Sequence, residues 1–110
     1  MKKLLIALLM VPAMVRAEFF TGNKLLEKLQ AQDYMERMQA LGYIQGVFDA
    51  NAGIIICPPN NVNAGQVNDM IKNYLENTPS IRHRTADVII QEAFKSVWPC
   101  KNRNVPGRGA

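Results

Sequence analysis

The apolar and polar positions of this chain fall into one unbroken apolar run and four periodic stretches. Lys2 and Lys3 precede a run from Leu4 to Met14, and Val15-Arg16-Ala17 follows it. The run is about eleven residues, well short of the roughly 20 that a spanning helix needs. A basic start, a short apolar run and small residues at positions 15 and 17 make the three-part pattern of an export signal. Cleavage is expected after Ala17. The segment 1–17 is therefore read as a signal peptide, the rest of the chain as periplasmic, and no stable membrane insertion is expected.

The later stretches carry helical spacing. Thr21-Gly22-Asn23 is a helix start, with Leu25, Leu26 and Leu29 on one face and Glu27 and Lys28 on the wet side. A longer helix is predicted from Asp33 to Ala50. Met35, Met38, Leu41, Tyr43, Ile44, Val47 and Phe48 form its broad apolar stripe, and its methionines read as core filler. Gly42 and Gly46 lie four apart on one face. Each costs about 1 kcal/mol relative to Ala, so close approach of another helix or loop is expected there. Asn51-Ala52-Gly53 stops this helix, with Gly53 in a left-handed cap. Ile54-Ile55-Ile56 reads as a buried extended crossing into Cys57, without an evident partner strand.

Pro58-Pro59-Asn60-Asn61 is a stiff polar loop. Asn63 and Gln66 fit a capping box at the start of a third helix, whose inner face is Val67, Met70, Ile71, Tyr74 and Leu75. Asn77-Thr78-Pro79 ends it, because a residue before Pro resists the helical region. Ser80 to Arg84 is a short turn. The last helix runs from about Thr85 to Val97, with Ala86, Ile89, Ile90, Ala93, Phe94 and Val97 inward. Trp98-Pro99 stops it ahead of Cys100. The expected fold is all-α: one small bundle of about four helices over residues 18–100. Residues 101–110 form a basic tail without an apolar stripe, which reads as disordered.

Charge changes the picture only at the ends. The formal charge is +4, but Lys2, Lys3 and Arg16 belong to the leader, and Lys101, Arg103 and Arg108 to the tail. Between Glu18 and Cys100 seven Lys/Arg stand against nine Asp/Glu. Nucleic-acid binding needs a clustered basic face, and this core has none.

Two cysteines remain, Cys57 and Cys100. A domain of about 83 residues is marginal for a single core, and a covalent staple helps it. In an exported chain an even pair reads as a disulfide. A loop of about 44 residues gives roughly 4 kcal/mol by the chain-entropy estimate. The alternatives are a redox pair, which usually shows Cys-x-x-Cys, and a zinc site, which needs more ligands than two Cys and one distant His.

Candidate chemistry is sparse. No G-x-S-x-G, H-E-x-x-H or phosphate-cradling glycine loop is present. An enzyme is not expected, nor a cofactor, nor a metal. His83, between Arg82 and Arg84, shares a face with Asp87 if that stretch is helical. It reads as a residue ordering the turn, with contact to a partner as the functional alternative.

Several elements stand in a recognisable order: Gly42-Tyr43-Ile44-Gln45-Gly46-Val47-Phe48-Asp49-Ala50, Ile56-Cys57-Pro58, Gln66-Val67, Tyr74-Leu75, Thr78-Pro79 with Arg82-His83, and Trp98-Pro99-Cys100. In order and spacing they resemble the Tai and resistance-associated family of type VI secretion immunity proteins, over about Phe20 to Cys100. The resemblance implies a small, all-helical periplasmic protein that binds a peptidoglycan amidase effector and occludes its active-site groove, without catalysis of its own. It makes Cys57 and Cys100 the structural bridge. Several relatives act as homodimers, so a homodimer is a candidate state. Where many relatives carry a second cysteine pair, this chain has Leu29 and Ala40, as if packing replaced a buried bridge. The loop with Asn60 and Asn61 and the turn with Arg82, His83 and Arg84 are the candidates for toxin contact. The alternative reading is an HdeA-like periplasmic chaperone, also small, helical and single-disulfide, or another non-catalytic envelope role on the same scaffold.

Overall fold

A computed structural model describes residues 19–101. The expected signal peptide, its cleavage after Ala17 and the tail beyond Lys101 lie outside the described residues.

The described chain is all-α, with four α-helices and one 3₁₀ turn: α1 (Gly22–Leu29), α2 (Tyr34–Asn51), α3 (Ala64–Asn77), the 3₁₀ turn Pro79–Ile81, and α4 (Ala86–Val97). Among the described residues, extended pairing is limited to isolated bridges. The starts of the helices follow the side-chain chemistry. Thr21 accepts from the Lys24 N–H at 3.1 Å and caps α1. Asn63 accepts from the Gln66 N–H at 2.9 Å, and the Gln66 side chain accepts from the Asn63 N–H at 2.9 Å, closing the capping box of α3. Asp33 and Thr85 stand at the starts of α2 and α4 without a side-chain cap bond.

Helix α2 packs against the other three helices. Its buried stripe is Ala40, Ile44 and Phe48. Leu25, Leu26 and Leu29 of α1, Val67, Ile71 and Leu75 of α3, and Ala86, Ile89, Ile90 and Phe94 of α4 complete one core. Leu29 and Ala40 are both inside it. An aromatic cluster closes one end. Phe94 meets Phe48 edge-on at 5.1 Å and stacks on Trp98 at 5.8 Å. Such pairs add to the area they bury.

The Cys57–Cys100 bridge sits beside that cluster, across a sequence separation of 43. The Cys57 N–H donates to the Trp98 carbonyl at 2.8 Å, and Ile56, fully buried, pairs with Pro99. The staple thus fastens the α2–α3 connection to the end of α4. The start of α1 is fastened elsewhere. Gly22 and Asn23 donate to the carbonyls of Arg84 and Arg82 at 2.9 and 2.8 Å, and the Ala86 N–H donates to Phe20 at 2.8 Å.

Four expectations are corrected. Met35 and Met38 are exposed, at 68% and 41%, and are not core filler. They stand away from the Ala40–Ile44–Phe48 stripe, because a position advances about 100° per residue around a helix. Gly42 and Gly46 bring no neighbour close: a side chain at either would meet nothing within 4 Å. Ile54–Ile56 is a turn and not an extended crossing, and of the three only Ile56 is fully buried as expected. Gly53 takes φ +85°, the backbone N–H groups of Ile54, Ile55 and Ile56 all donate to the Asn51 carbonyl, and Ile54 is 61% exposed. Val97 is half exposed, since α4 runs past the core by its last residue.

Candidate partner-binding surfaces

The expected contact residues occupy two places and not one. Asn60 and Asn61 are exposed in the loop before α3. Arg82, His83 and Arg84 form the turn after it. Helix α3 has 14 residues, so the two groups lie about 20 Å apart along its axis.

Within the second group, two of the three side chains already have partners in the fold. The Arg82 Nη1 donates to the Leu75 carbonyl at 3.1 Å, satisfying a carbonyl in the last turn of α3. Its Nε is buried without a hydrogen-bond partner. Arg84 donates through both terminal nitrogens to the Glu92 carboxylate, at 2.9 and 3.1 Å. That hydrogen bond and charge hold the Glu92 carboxyl below its ordinary value and push the Arg84 guanidinium above its own. His83 is exposed between them. Residues 82–84 are not helical, so His83 and Asp87 do not share a helix face as the conditional reading required.

Near the turn lies a shallow hollow of about 350 Å³ between α3 and α4. Its lining includes Met70, Asn73, Tyr74, Asn77 and the exposed Val97, with no charged side chain among the lining residues. A second surface runs along the outside of α2. Its hollows involve Met35, Met38 and Gln39 at one end, about 430 Å³, and Gly42, Tyr43, Gly46, Asp87 and Gln91 further along, about 400 Å³. Burial and the nearby Asp87 carboxylate push the Tyr43 phenol above its ordinary value, offset in part by a hydrogen bond with the Asp87 backbone. Reading the helical angle of Met35 against Ile44 would have placed the methionines on this outer side; the apolar count alone put them in the core.

Among the described residues no group of three or more His, Cys, Asp or Glu is placed to hold a metal ion, and no helix is long and apolar enough to cross a membrane. The arrangement offers surfaces for binding, from polar loops and shallow hollows.

No curated protein matches the chain. The family of Rap1a immunity proteins matches residues 21–100, from the α1 cap to the second cysteine of the bridge. Rap1a is a type VI secretion immunity family, and membership implies binding of a toxin effector. The match spans all four helices and most of the chain, so this protein belongs to the Rap1a immunity protein family.

Proposed function

We propose that this protein is exported to the periplasm, binds a type VI secretion peptidoglycan amidase there, and blocks it by occluding its active-site groove without catalysis of its own. The observation that carries the reading is the family match over residues 21–100. The export pattern of residues 1–17 supports the compartment, which is also where an amidase meets its substrate. The family match favours this reading over an HdeA-like chaperone.

The contact surface we propose is the exposed side of α3 with the loops at its two ends. A standard interface covers roughly 800 Å² per partner, which reaches from Asn60 and Asn61 to His83 across the about 20 Å of α3. The side chains exposed between them on α3 include Gln66, Asp69, Asn73 and Asn77. The α3–α4 hollow supplies an apolar centre, with Val97 half exposed at its edge. Interfaces concentrate their energy in such apolar centres and leave the rim polar.

The test is co-expression with amidase toxins directed to the periplasm, read as cell lysis, and capture of the tagged protein from a host that carries its own toxins. Protection together with a stoichiometric complex that no longer cleaves peptidoglycan supports the reading. A captured toxin with a different activity removes the amidase but leaves the immunity role. No captured toxin and no protection removes both.

A further inference from the structure

Met35 and Met38 stand apart from Met70, the other methionine among the described residues. Met70 is partly buried against the core. Met35 and Met38 are 68% and 41% exposed near the start of α2. They are three positions apart, so they rise from one side of the helix with their Cβ atoms roughly 5–6 Å from each other. Both line one hollow of about 430 Å³, together with Asp33, Glu36 and Gln39. Side chains that stand in water forgo the burial that usually accounts for methionine. What this pair keeps is two soft, polarisable thioether sulfurs on long unbranched stems, able to turn toward one point between them.

The charges around the hollow favour a cation. Lys28 is matched by Glu36, whose carboxylate lies 3.0 Å from its Nζ. The Arg37 guanidinium is turned back along the chain and donates to the Ala31 and Gln32 carbonyls at 2.9 and 2.8 Å. The Asp33 carboxylate lines the hollow and, among the described residues, makes no cap hydrogen bond and no ion pair. Its charge offsets the positive end of α2. The hollow is thus left with a negative group and no free cation of its own.

We propose that Met35 and Met38 hold a soft monovalent cation, Cu(I) or Ag(I), through both sulfurs, with the Asp33 carboxylate supplying the balancing charge. Thioethers select soft ions such as Cu(I), whereas carboxylates, carbonyls and water suit hard divalent ions. Both cysteines are joined in the bridge, so no thiolate competes for the ion. The two sulfurs come from positions one turn apart, at a helix end that lacks a side-chain cap bond. A bound ion therefore fastens that turn. Two thioethers in an open hollow make a site of micromolar affinity. The proposal is read from the chain alone and does not rest on which toxin it binds.

The test uses the full chain, purified as the cell leaves it with its bridge oxidised. Silver nitrate in chloride-free buffer is the probe, because Ag(I) shares the charge and softness of Cu(I) and stays in one oxidation state. Binding heat is measured, and the methionine methyl resonances are followed by NMR. One ion per chain is expected, with the Met35 and Met38 methyls shifted and the Met70 methyl unmoved. The melting temperature should rise with Ag(I) concentration, as for any ligand of the native state. Magnesium should move none of the methyls. A variant carrying both Met35→Leu and Met38→Leu keeps the apolar volume and loses both sulfurs. Its Ag(I) affinity is expected to fall about tenfold or more, with helix content by circular dichroism unchanged. Met35 and Met38 methyls that do not respond to Ag(I) overturn the proposal. So does an affinity that survives the double substitution, which moves the ion to other ligands such as His83.

Discussion

The Gly22 backbone N–H donates to the Arg84 carbonyl at 2.9 Å, with the next turn of chain pressed so close that a Cβ at Gly22 would stand 2.6 Å from Ile89 Cδ1 and 3.0 Å from the Arg82 backbone. The start of α1 and the turn before α4 are therefore one unit. Gly22→Ala forces either the Ile89 side chain or the Arg82–Arg84 turn to move. The expected cost is about 1–3 kcal/mol, as for overpacking in a tight core. Urea unfolding measures it; a midpoint equal to wild type would mean that the turn gives way freely.

The Cys57–Cys100 bridge closes a sequence separation of 43 and holds the α2–α3 connection against the end of α4. Replacing both cysteines by Ala should lower unfolding free energy by roughly 4 kcal/mol on the chain-entropy estimate. Trp98 stacks on Phe94 within this region, so its fluorescence should report the loss. An unchanged urea midpoint after reduction would contradict the stapling role.

The capping box is a smaller and separate contribution. Asn63→Ala leaves the Gln66 N–H without its side-chain acceptor. About 1 kcal/mol is the usual cost of losing such a cap. The readout is the urea midpoint, and Asn63→Asp should restore most of it, because Asp caps as well as Asn.

The Arg84–Glu92 pair predicts a pH dependence with a definite sign. Arg84 holds the Glu92 carboxyl below its ordinary value of 4.5. The native state then takes up this proton at lower pH than the unfolded chain does. The contribution is complete above the unfolded value and is lost as pH falls through the folded one. The melting-temperature difference between wild type and Glu92→Gln should therefore be present at neutral pH and vanish in acid below the carboxylate range. Both groups face solvent, so the difference should also shrink with added salt. A difference that persists in acid would assign the effect to packing.

Much of this protein is legible in one dimension. Several helix ends are announced by local chemistry that acts within a few residues: the Thr21 and Asn63 caps, the stop at Thr78-Pro79, the left-handed Gly53. The core stripes Val67–Ile71–Leu75 and Ile89–Ile90–Phe94 follow from periodicity, because burial at a helical period leaves no other solution. The candidate contacts Asn60, Asn61 and His83 are exposed, as loop composition suggested.

Tertiary structure decided what depends on neighbours distant in sequence. Arg82 and Arg84 read in sequence as surface or capping charges, and only the fold decides that they meet the Leu75 carbonyl and the Glu92 carboxylate. Gly22 is one more helix-start residue until the 82–84 turn packs on it, while Gly42 and Gly46, marked for close approach, face open space. Met35 and Met38 satisfy an apolar count but sit on the far side of α2 from Ile44. The physical reason is common to all of these. Caps and turns are set by bonds between near neighbours, whereas which side of a helix is covered is settled only when the other helices have taken their places.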